Sequence, residues 1–344
     1  MFEKKHRVFI YHDETEIYYN NKHWKGHVFL FVPKELEINQ VGGLFDEWKD
    51  VYSPLEILYK EIRTIRTRYK VDKKFHFTDI SGNEWCKYDN ADLDLMTLIH
   101  NSLRSKSNET FWQPLCCKFA IIYYPAKKEL TLYGGDEKKE KKLRYAETLM
   151  RMLLKGAAHS LYDPRNRLEI EKIISDGQPH HREFSGKRVI ERLIFPRDIG
   201  SSELRDYVSI LPDARIVYLQ ASKHTNYKEG TSDYINANML QAADMVLGSV
   251  SRALSKGVLK VNYRPKESNP CENKKCIIAT PMVEVIEKAK RGKAFSNSGH
   301  YKAFNITRAD IINNKWEFNT VKPKLLRNTR GYAQLNIEEV IQES

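Results

Sequence analysis

Residues 8–16, VFIYHDETE, form an apolar run that ends in acids. Apolar side chains fall on both sides of this run, which is typical of a central strand covered on both faces. Because side chains alternate along a strand, Asp13 points to one face and Glu14 to the other. Only one of the two acids can point into a given site unless the backbone bends. We favour Asp13, with Glu14 as the second candidate.

The composition is that of a globular protein. The 344 residues are 41% hydrophobic and 30% charged, which allows a sizeable core in one large domain, or in one domain with an appendage. No apolar run approaches the roughly 18 residues of a membrane span. The first residues, MFEKK, lack the apolar core of a secretion signal. We therefore expect a cytoplasmic protein that does not contact membranes.

The charge balance is basic, with 57 lysines and arginines against 45 acids and a net charge of +12. This balance favours a polyanionic partner without identifying it. Many basic proteins bind no nucleic acid specifically, so the charge supports a function only in combination with other features.

The five cysteines lie at positions 86, 116, 117, 271 and 276. An odd number in a chain of this length does not suggest a disulfide framework. Cys271 and Cys276 can form half of a zinc site, but no second pair is clear. We therefore do not predict a zinc site.

The pattern of apolar residues predicts a mixture of strands and helices. A second strand at 27–32 forms an antiparallel hairpin with the first, and Ser53-Pro54 begins a helix that runs to about Tyr69. Residues 75–80 are a short strand or extended segment. Further elements are predicted as a helix at 91–105, a strand at 116–124, a helix from about 137, strands at 168–174 and 214–221, and a helix at 233–254 capped by Ser232.

A second acid stands at the end of the strand predicted at 168–174. Leu168, Ile170 and Ile174 have the same parity as Asp176, so this acid is expected on their apolar side. An Asp-Gly pair also favours a simple turn, and this alternative stays open.

A third acid lies on the helix predicted at 233–254. Leu240, Asp244, Leu247 and Ser251 share one helical face, which we expect to pack inward. Small residues on this helix allow it to come close to a sheet, namely Ala242, Ala243, Gly248 and Ser249. Beyond residue 257 the pattern weakens, so we treat 258–344 as a C-terminal extension of uncertain structure.

The three acids suggest a metal site if the fold brings them together. A buried carboxylate is costly unless it is paired or binds a metal, and converging carboxylates repel one another unless hard cations such as Mg²⁺ or Mn²⁺ hold them. Two such ions about 3.5 to 4 Å apart can activate a water and stabilise the leaving oxygen in phosphodiester cleavage. The alternative is that each acid acts separately, for example with Asp244 paired to an arginine. Spacing along the sequence does not decide between these possibilities.

Four short motifs resemble a known family, the domain of unknown function 3800 family of the RNase H-like superfamily. They are Asp-Glu-Thr at 13–15, Phe-His-Phe at 75–77, Ile-Ser-Asp at 174–176 and Leu-Gln-Ala-Ala-Asp at 240–244. Family members typically have Asp-Glu-Ser on the first strand, a histidine in a short extended segment and Leu-Gln-x-Ala-Asp on a late helix. The resemblance covers about residues 6–255. Two positions depart from it, since Thr15 replaces Ser and Glu16 stands where Gly is usual, which can change the turn after the first strand.

The resemblance implies an α/β fold over residues 1–257, with an RNase H-like mixed central sheet flanked by helices. It further implies that Asp13, Glu14, Asp176 and Asp244 are metal ligands for Mg²⁺ or Mn²⁺, and that these acids and His76 are catalytic. His76 would orient a phosphate or leaving group, the alternative being a hydrogen-bonded core histidine.

The function predicted on this basis is a metal-dependent nuclease that hydrolyses phosphodiester bonds of RNA or DNA. One alternative is a catalytically inactive nucleic-acid-binding module with the same fold, and another is a nucleotide phosphohydrolase. His180, His181 and Lys223 are weaker candidates for substrate contacts.

Overall fold

A computed structural model describes most of the chain. The described residues are 5–35, 53–81, 85–103, 115, 117–126, 138–162, 167–176, 208–211, 216–256, 258–259, 270–290, 303–313, 315–320, 324–327 and 332–336.

The first two strands form the predicted antiparallel hairpin. Strand β1 (Lys5–Tyr19) and strand β2 (Lys22–Pro33) pair along their whole length. Asn20 and Asn21 join them, both with positive φ, as a two-residue hairpin turn requires. The hairpin prediction is confirmed, but β1 is longer than expected. Asp13 therefore lies within the strand and not at its end, where we expected it.

The remaining strands complete one mixed sheet and begin a small second one. They are β3 (Lys118–Pro125), β4 (Arg167–Asp176), β5 (Val208–Ile210), β6 (Ile216–Leu219), β7 (Val258–Leu259), β8 (Phe304–Ile312), β9 (Lys315–Thr320), β10 (Lys324–Arg327) and β11 (Tyr332–Asn336). The main sheet has the order β5-β4-β1-β2-β3-β8-β9, and β6 also pairs with β4. Strand β4 is parallel to β1, β5 and β6, and β8 is parallel to β3. Strands β10, β11 and β7 form the small sheet.

Helices cover both faces of the main sheet. They are α1 (Pro54–Tyr69), α2 (Lys87–Ser102), α3 (Lys138–Ser160), α4 (Ser232–Ser255) and α5 (Pro270–Lys290), with short 3₁₀ helices at Phe77–Asp79 and Ala221–Asn226. Apolar residues of α1, α2, α4 and α5 pack with Tyr11 on one face, which we call the α4 face. Apolar residues of α3 pack with Ile10 on the other, the α3 face. The predicted α/β architecture, a mixed sheet flanked by helices, is confirmed.

Local sequence signals explain where two of the helices begin. Ser53 caps α1 as predicted, in a capping box with Glu56. Helix α4 begins one residue earlier than expected. Its cap is Thr231, whose Oγ1 accepts a hydrogen bond from the Tyr234 N–H at 3.4 Å, so the prediction of Ser232 as the cap is wrong by one position.

The segment that we expected to be a C-terminal extension takes part in the same sheet and core. Strand β8 pairs with β3, and β9 pairs with β8. Residues of α5, including Ile278 and Met282, are buried with those of α4. In the part of the chain that the structure describes, no helix combines the length and the hydropathy needed to span a membrane.

Candidate active site

A bulge in β4 decides which face Asp176 occupies. Val8 pairs with Ile170 but Phe9 pairs with Lys172, so the residue between them on β4 is extra. Ile170 consequently packs on the α3 face and Ile174 on the α4 face. The prediction that Leu168, Ile170 and Ile174 share one side is therefore wrong. Because of the bulge, the residues after it point to the opposite faces from those expected, and Asp176 lies on the same face of the sheet as Asp13.

The carboxyl of Asp13 lies next to those of Asp244 and Asp176. Burial raises the pKa of Asp13 well above its ordinary value, and the negative charges of Asp244 and Asp176 raise it further. A hydrogen bond between the carboxyls of Asp13 and Asp244 favours the proton on Asp13. The Glu14 N–H opposes these effects by donating to Asp13 Oδ1 at 2.8 Å. The acids of β4 and α4 thus both act on Asp13.

Asp244 is oriented by the segment at residues 75–79, which is extended at His76 but forms a 3₁₀ helix at Phe77–Asp79, where we expected a strand or extended chain. Its Oδ2 accepts a hydrogen bond from the Phe77 N–H at 2.8 Å, and its Oδ1 is 3.6 Å from His76 Nε2. Burial raises the pKa of Asp244, whereas His76 and the Phe77 N–H act in the opposite direction. His76 Nδ1 is 3.0 Å from Asp79 Oδ1. The structure therefore places His76 beside the acids, between two carboxylates.

A glycine of α4 permits this close approach. A Cβ at Gly248 would lie 2.4 Å from the Cβ of Phe77, a distance that real Cβ atoms do not tolerate. We expected the small residues of α4 to bring the helix close to the sheet. At Gly248 the close neighbour is instead the segment that carries His76.

Gln241 connects the same segment to the end of β6, a role that sequence reasoning missed. Its Oε1 accepts hydrogen bonds from the Phe75 N–H at 2.8 Å and from Arg66 Nη2 at 2.7 Å. Its Nε2 donates to the Ala221 carbonyl at 2.8 Å, and the Ala221 N–H donates to Asp176 Oδ1 at 3.1 Å. Gln241 therefore joins the surroundings of Asp176 and His76. The available signal was its place in the 240–244 motif, three residues before Asp244.

Arg66 is the cation that donates to Gln241, and sequence reasoning missed it as well. It is buried, and its guanidinium donates to Asn238 Oδ1 at 2.9 Å and to the Lys73 carbonyl at 2.8 Å. The guanidinium carbon lies 4.3 Å from the ring centre of Phe75. Burial lowers the pKa of Arg66 to about 10. A charged residue on the apolar stripe of α1, between Ile62 and Tyr69, was the signal in the sequence.

Asp92 of α2 is a further buried acid near the site. Burial raises its pKa to about 7, Lys73 and Arg66 lower it, and the charges of Asp89 and Asp244 raise it. Sequence reasoning included this residue in a helix but did not see that it lies on the inward side, three residues before the buried Leu95. Asp92 adds negative charge behind Asp244.

Glu14 lies on the opposite face of the sheet from Asp13, as side-chain alternation requires. Its Oε2 is 3.8 Å from His27 Nδ1. Glu14 is therefore not among the acids that the fold brings together, contrary to the ligand role implied by the resemblance.

A chain of buried polar groups, which we call the histidine chain, crosses the α3 face beside Glu14. Ser175 Oγ is 2.7 Å from His12 Nδ1, and His12 Nε2 is 2.9 Å from His27 Nδ1. His27 Nε2 is 3.1 Å from the Tyr124 hydroxyl. The chain links β4, β1, β2 and β3 directly behind Asp13 and Asp176.

The donor chemistry of the three acids fits a hard divalent cation, since carboxylate oxygens are the ligands that Mg²⁺ and Mn²⁺ prefer. Among the described residues, no lysine or arginine forms an ion pair with Asp13 or Asp244. His76 lies 3.6 Å from Asp244, and the charge of Lys74 also lowers the pKa of this acid. Within the same residues, no group of three or more histidine, cysteine or acidic side chains has a ready-made metal-binding geometry. The three acids thus have the donor chemistry for such an ion, but in their described positions they do not form a metal-binding group.

The other candidates lie apart from the acids or outside the described residues. Cys276 is buried, and Arg252 Nη2 lies 3.2 Å from its Sγ. Lys223 is exposed in the 3₁₀ helix after β6. His180, His181 and the side chain of Cys271 are outside the described part of the chain.

Comparisons with protein-family models, with curated proteins and with solved structures give no match to the chain. The resemblance carried by the four motifs stays a prediction. The site is therefore interpreted from its own residues and geometry.

Proposed function

We propose that the protein is a divalent-metal-dependent nuclease with an RNase H-like fold, which hydrolyses phosphodiester bonds of RNA or DNA. The observation that supports this most directly is the convergence of three carboxyls. Those of Asp244 and Asp176 both raise the pKa of Asp13, and Asp13 shares a hydrogen bond with Asp244. Side chains from two strands and a helix meet there although repulsion between them is unfavourable. Such an arrangement is typical of a site selected for function.

In this proposal the three acids hold Mg²⁺ or Mn²⁺, which when bound supplies activation of water and stabilisation of the leaving oxygen. Each carboxylate accepts one backbone N–H, from Glu14 for Asp13, from Ala221 for Asp176 and from Phe77 for Asp244. Hydrogen bonds of this kind fix the orientation of ligating carboxylates. The backbone thereby sets the direction in which the remaining oxygens face.

His76 is proposed to act on the leaving group. In its imidazolium form it donates from Nδ1 to Asp79, 3.0 Å away, and directs Nε2 toward Asp244 Oδ1 at 3.6 Å. The proton on Nε2 is thus held at the edge of the acid cluster, within reach of an oxygen bound there. Transfer of this proton to the departing oxygen makes His76 a general acid.

The test is a titration of Mg²⁺ and of Mn²⁺ against cleavage of single- and double-stranded RNA and DNA by the full chain. We expect metal-dependent cleavage that Asp244→Asn abolishes. Asp233→Asn is the matched control, because Asp233 is an exposed acid in the first turn of the same helix. Cleavage by Asp244→Asn at the wild-type rate, or wild-type cleavage that needs no metal, contradicts the proposal.

The same titration separates the two alternatives. A catalytically inactive binding module predicts that the wild type binds polynucleotides but cleaves none of them at any metal concentration. A nucleotide phosphohydrolase predicts hydrolysis of mononucleotides in preference to oligomers. The basic net charge of +12 favours oligomers over mononucleotides.

A further inference from the structure

Two lysines and two aromatic rings lie on the surface around the start of α2 and the segment that precedes His76. We call this group the basic–aromatic strip and define it as Lys73, Trp85, Lys87 and Tyr88. Lys73 Nζ is 4.2 Å and Lys87 Nζ is 5.1 Å from the ring centre of Tyr88. Both lysines are exposed. Two ammonium groups therefore stand at one aromatic ring on the protein surface.

Trp85 adds a second ring just before α2. It is 39% exposed, which is unusual for a large apolar side chain in the described residues. Its Nε1–H donates to Asn90 Oδ1 at 2.7 Å. This hydrogen bond fixes the direction of the indole while the ring stays accessible. An exposed ring held in one orientation is suited to stacking.

The strip is attached firmly to the acid-bearing helix. The Lys73 carbonyl accepts a hydrogen bond from the buried Arg66, and Arg66 itself donates to Gln241 of α4. The charge of Lys73 lowers the pKa of Asp92, which in turn is raised by Asp244. The main chain of Lys73 is thus joined through Arg66 to Gln241, and four residues after Lys73 the Phe77 N–H donates to Asp244. The neighbouring Lys74 is paired with Asp79 at 3.4 Å, so we do not assign it to a ligand.

We propose that the basic–aromatic strip binds single-stranded nucleic acid and leads its backbone toward Asp13 and Asp244. This deepens the proposed function, on which the second half of the statement rests. Two ammonium groups at the half-buried Tyr88 ring, with the exposed Trp85 ring three residues earlier in the chain, suit a single strand, which offers both phosphates and unpaired bases. A duplex buries the faces of its bases and offers nothing to Trp85. The acids are also recessed, Asp13 being only 7% exposed, which favours a flexible strand over a rigid duplex.

The test measures fluorescence anisotropy with labelled single-stranded RNA, single-stranded DNA and a duplex of the same sequence. It uses the full chain in EDTA, so that no cleavage interferes. We expect single strands to bind more tightly than the duplex. In Lys73→Gln/Lys87→Gln we expect the affinity for single strands to fall at least about 10-fold and the salt slope to fall by about 1.4, since each phosphate contact contributes about 0.7. Trp85→Leu should weaken binding by about 5- to 150-fold through lost stacking.

The matched control is Lys22→Gln/Lys315→Gln, which removes the same charge from two exposed lysines at the starts of β2 and β9. We expect its affinity to stay within about threefold of the wild type, because screening weakens distant charges. Thermal unfolding verifies that every variant is folded. An equal loss in the control, or duplex binding as tight as that of single strands, overturns the proposal.

The two proposals fail in different ways. If the strip variants bind normally while the wild type cleaves in Mg²⁺ or Mn²⁺, the proposed role of the strip is wrong and the proposed nuclease activity is supported. If binding depends on the strip but the wild type cleaves nothing, the proposed nuclease activity is wrong and the proposed binding surface is supported. A difference in affinity between RNA and DNA then identifies which polymer the strip prefers.

Discussion

The two faces of β1 treat buried polar groups in opposite ways. On the α4 face Asp13 lies among carboxylates that raise its pKa. On the α3 face, one residue away, His12 takes part in the histidine chain with hydrogen bonds at both ring nitrogens. Satisfied polar chains stabilise a fold, whereas clustered like charges lower its stability. Under the proposed function, the α3 face supports the structure and the α4 face carries the catalytic acids.

The largest effect is expected from Asp13→Asn. Cleavage should fall by more than about 100-fold, since even residues behind metal ligands cost about 10- to 100-fold. In EDTA at neutral pH the variant should instead melt about 2 °C higher than the wild type, because an amide needs neither a charge beside Asp244 nor a proton taken up on folding. Nuclease assays test the loss of cleavage, and thermal unfolding in EDTA tests the rise in Tm. A variant that is both active and less stable would contradict the assignment of this face.

The same carboxyl predicts how stability depends on pH in the absence of divalent metal. Its pKa is raised in the folded state, so the folded chain binds the proton more tightly than the unfolded chain. This contribution to stability is complete below the unfolded pKa of about 4 and is lost as pH rises through the folded pKa. The Tm of the wild type relative to Asp13→Asn should therefore decrease as pH rises from 4 to 8. A constant difference in Tm between the wild type and Asp13→Asn across this pH range would contradict the prediction.

Gly248→Ala is expected to have an intermediate effect. The new Cβ pushes Phe77 and its N–H away from Asp244, and a misplacement of 1 Å can cost about 100-fold in rate. We expect cleavage to fall by about 10- to 100-fold. Ser249→Ala is the control, because the buried hydroxyl of Ser249 has no hydrogen-bond partner in the described structure. Equal activity in the two alanine variants would show that the segment at 75–79 does not orient Asp244.

His27→Phe tests the other face. It removes a partner from His12 and from the Tyr124 hydroxyl, and losing such buried hydrogen bonds costs about 1–3 kcal/mol. Urea unfolding should show this loss while the rise of Tm on adding Mn²⁺ is retained. The exposed His23 provides the control variant His23→Phe, with an expected change within about 0.5 kcal/mol. If His27→Phe abolishes the metal response, the two faces are not independent.

Glu14→Gln should have the smallest effect of the series. Because Glu14 lies on the α3 face, 3.8 Å from His27, we expect cleavage within about threefold of the wild type, as for a change that leaves the metal ligands in place. The pair Asp13→Asn and Glu14→Gln thus compares two adjacent acids of one strand. A loss in Glu14→Gln as large as that in Asp13→Asn would return Glu14 to the metal site.

The sequence was informative wherever a pattern is local. Three features follow from residues within a few positions of one another: the start of α1 at Ser53-Pro54, the hairpin of β1 and β2, and the inward face of α4 at Asp244. The resemblance added His76, which the structure places 3.6 Å from Asp244.

Features that depend on distant partners were missed or misread. The bulge in β4 changes the face of every later residue, yet counting alternate positions does not detect it. The contacts of Gln241 with Arg66 and Ala221 join three parts of the chain, so no local pattern indicates them. The pairing of β8 with β3 is similarly invisible, because parallel strands far apart in sequence share no local signal.

The position of β8 has a practical consequence for any attempt to shorten the protein. Because β8 pairs with β3 and stacks Phe304 on Phe119 at 5.5 Å, ending the chain at residue 257 would strip the protection from the N–H and C=O groups along β3. Unprotected strand edges recruit other chains, so we expect such a fragment to aggregate rather than to fold as a minimal enzyme.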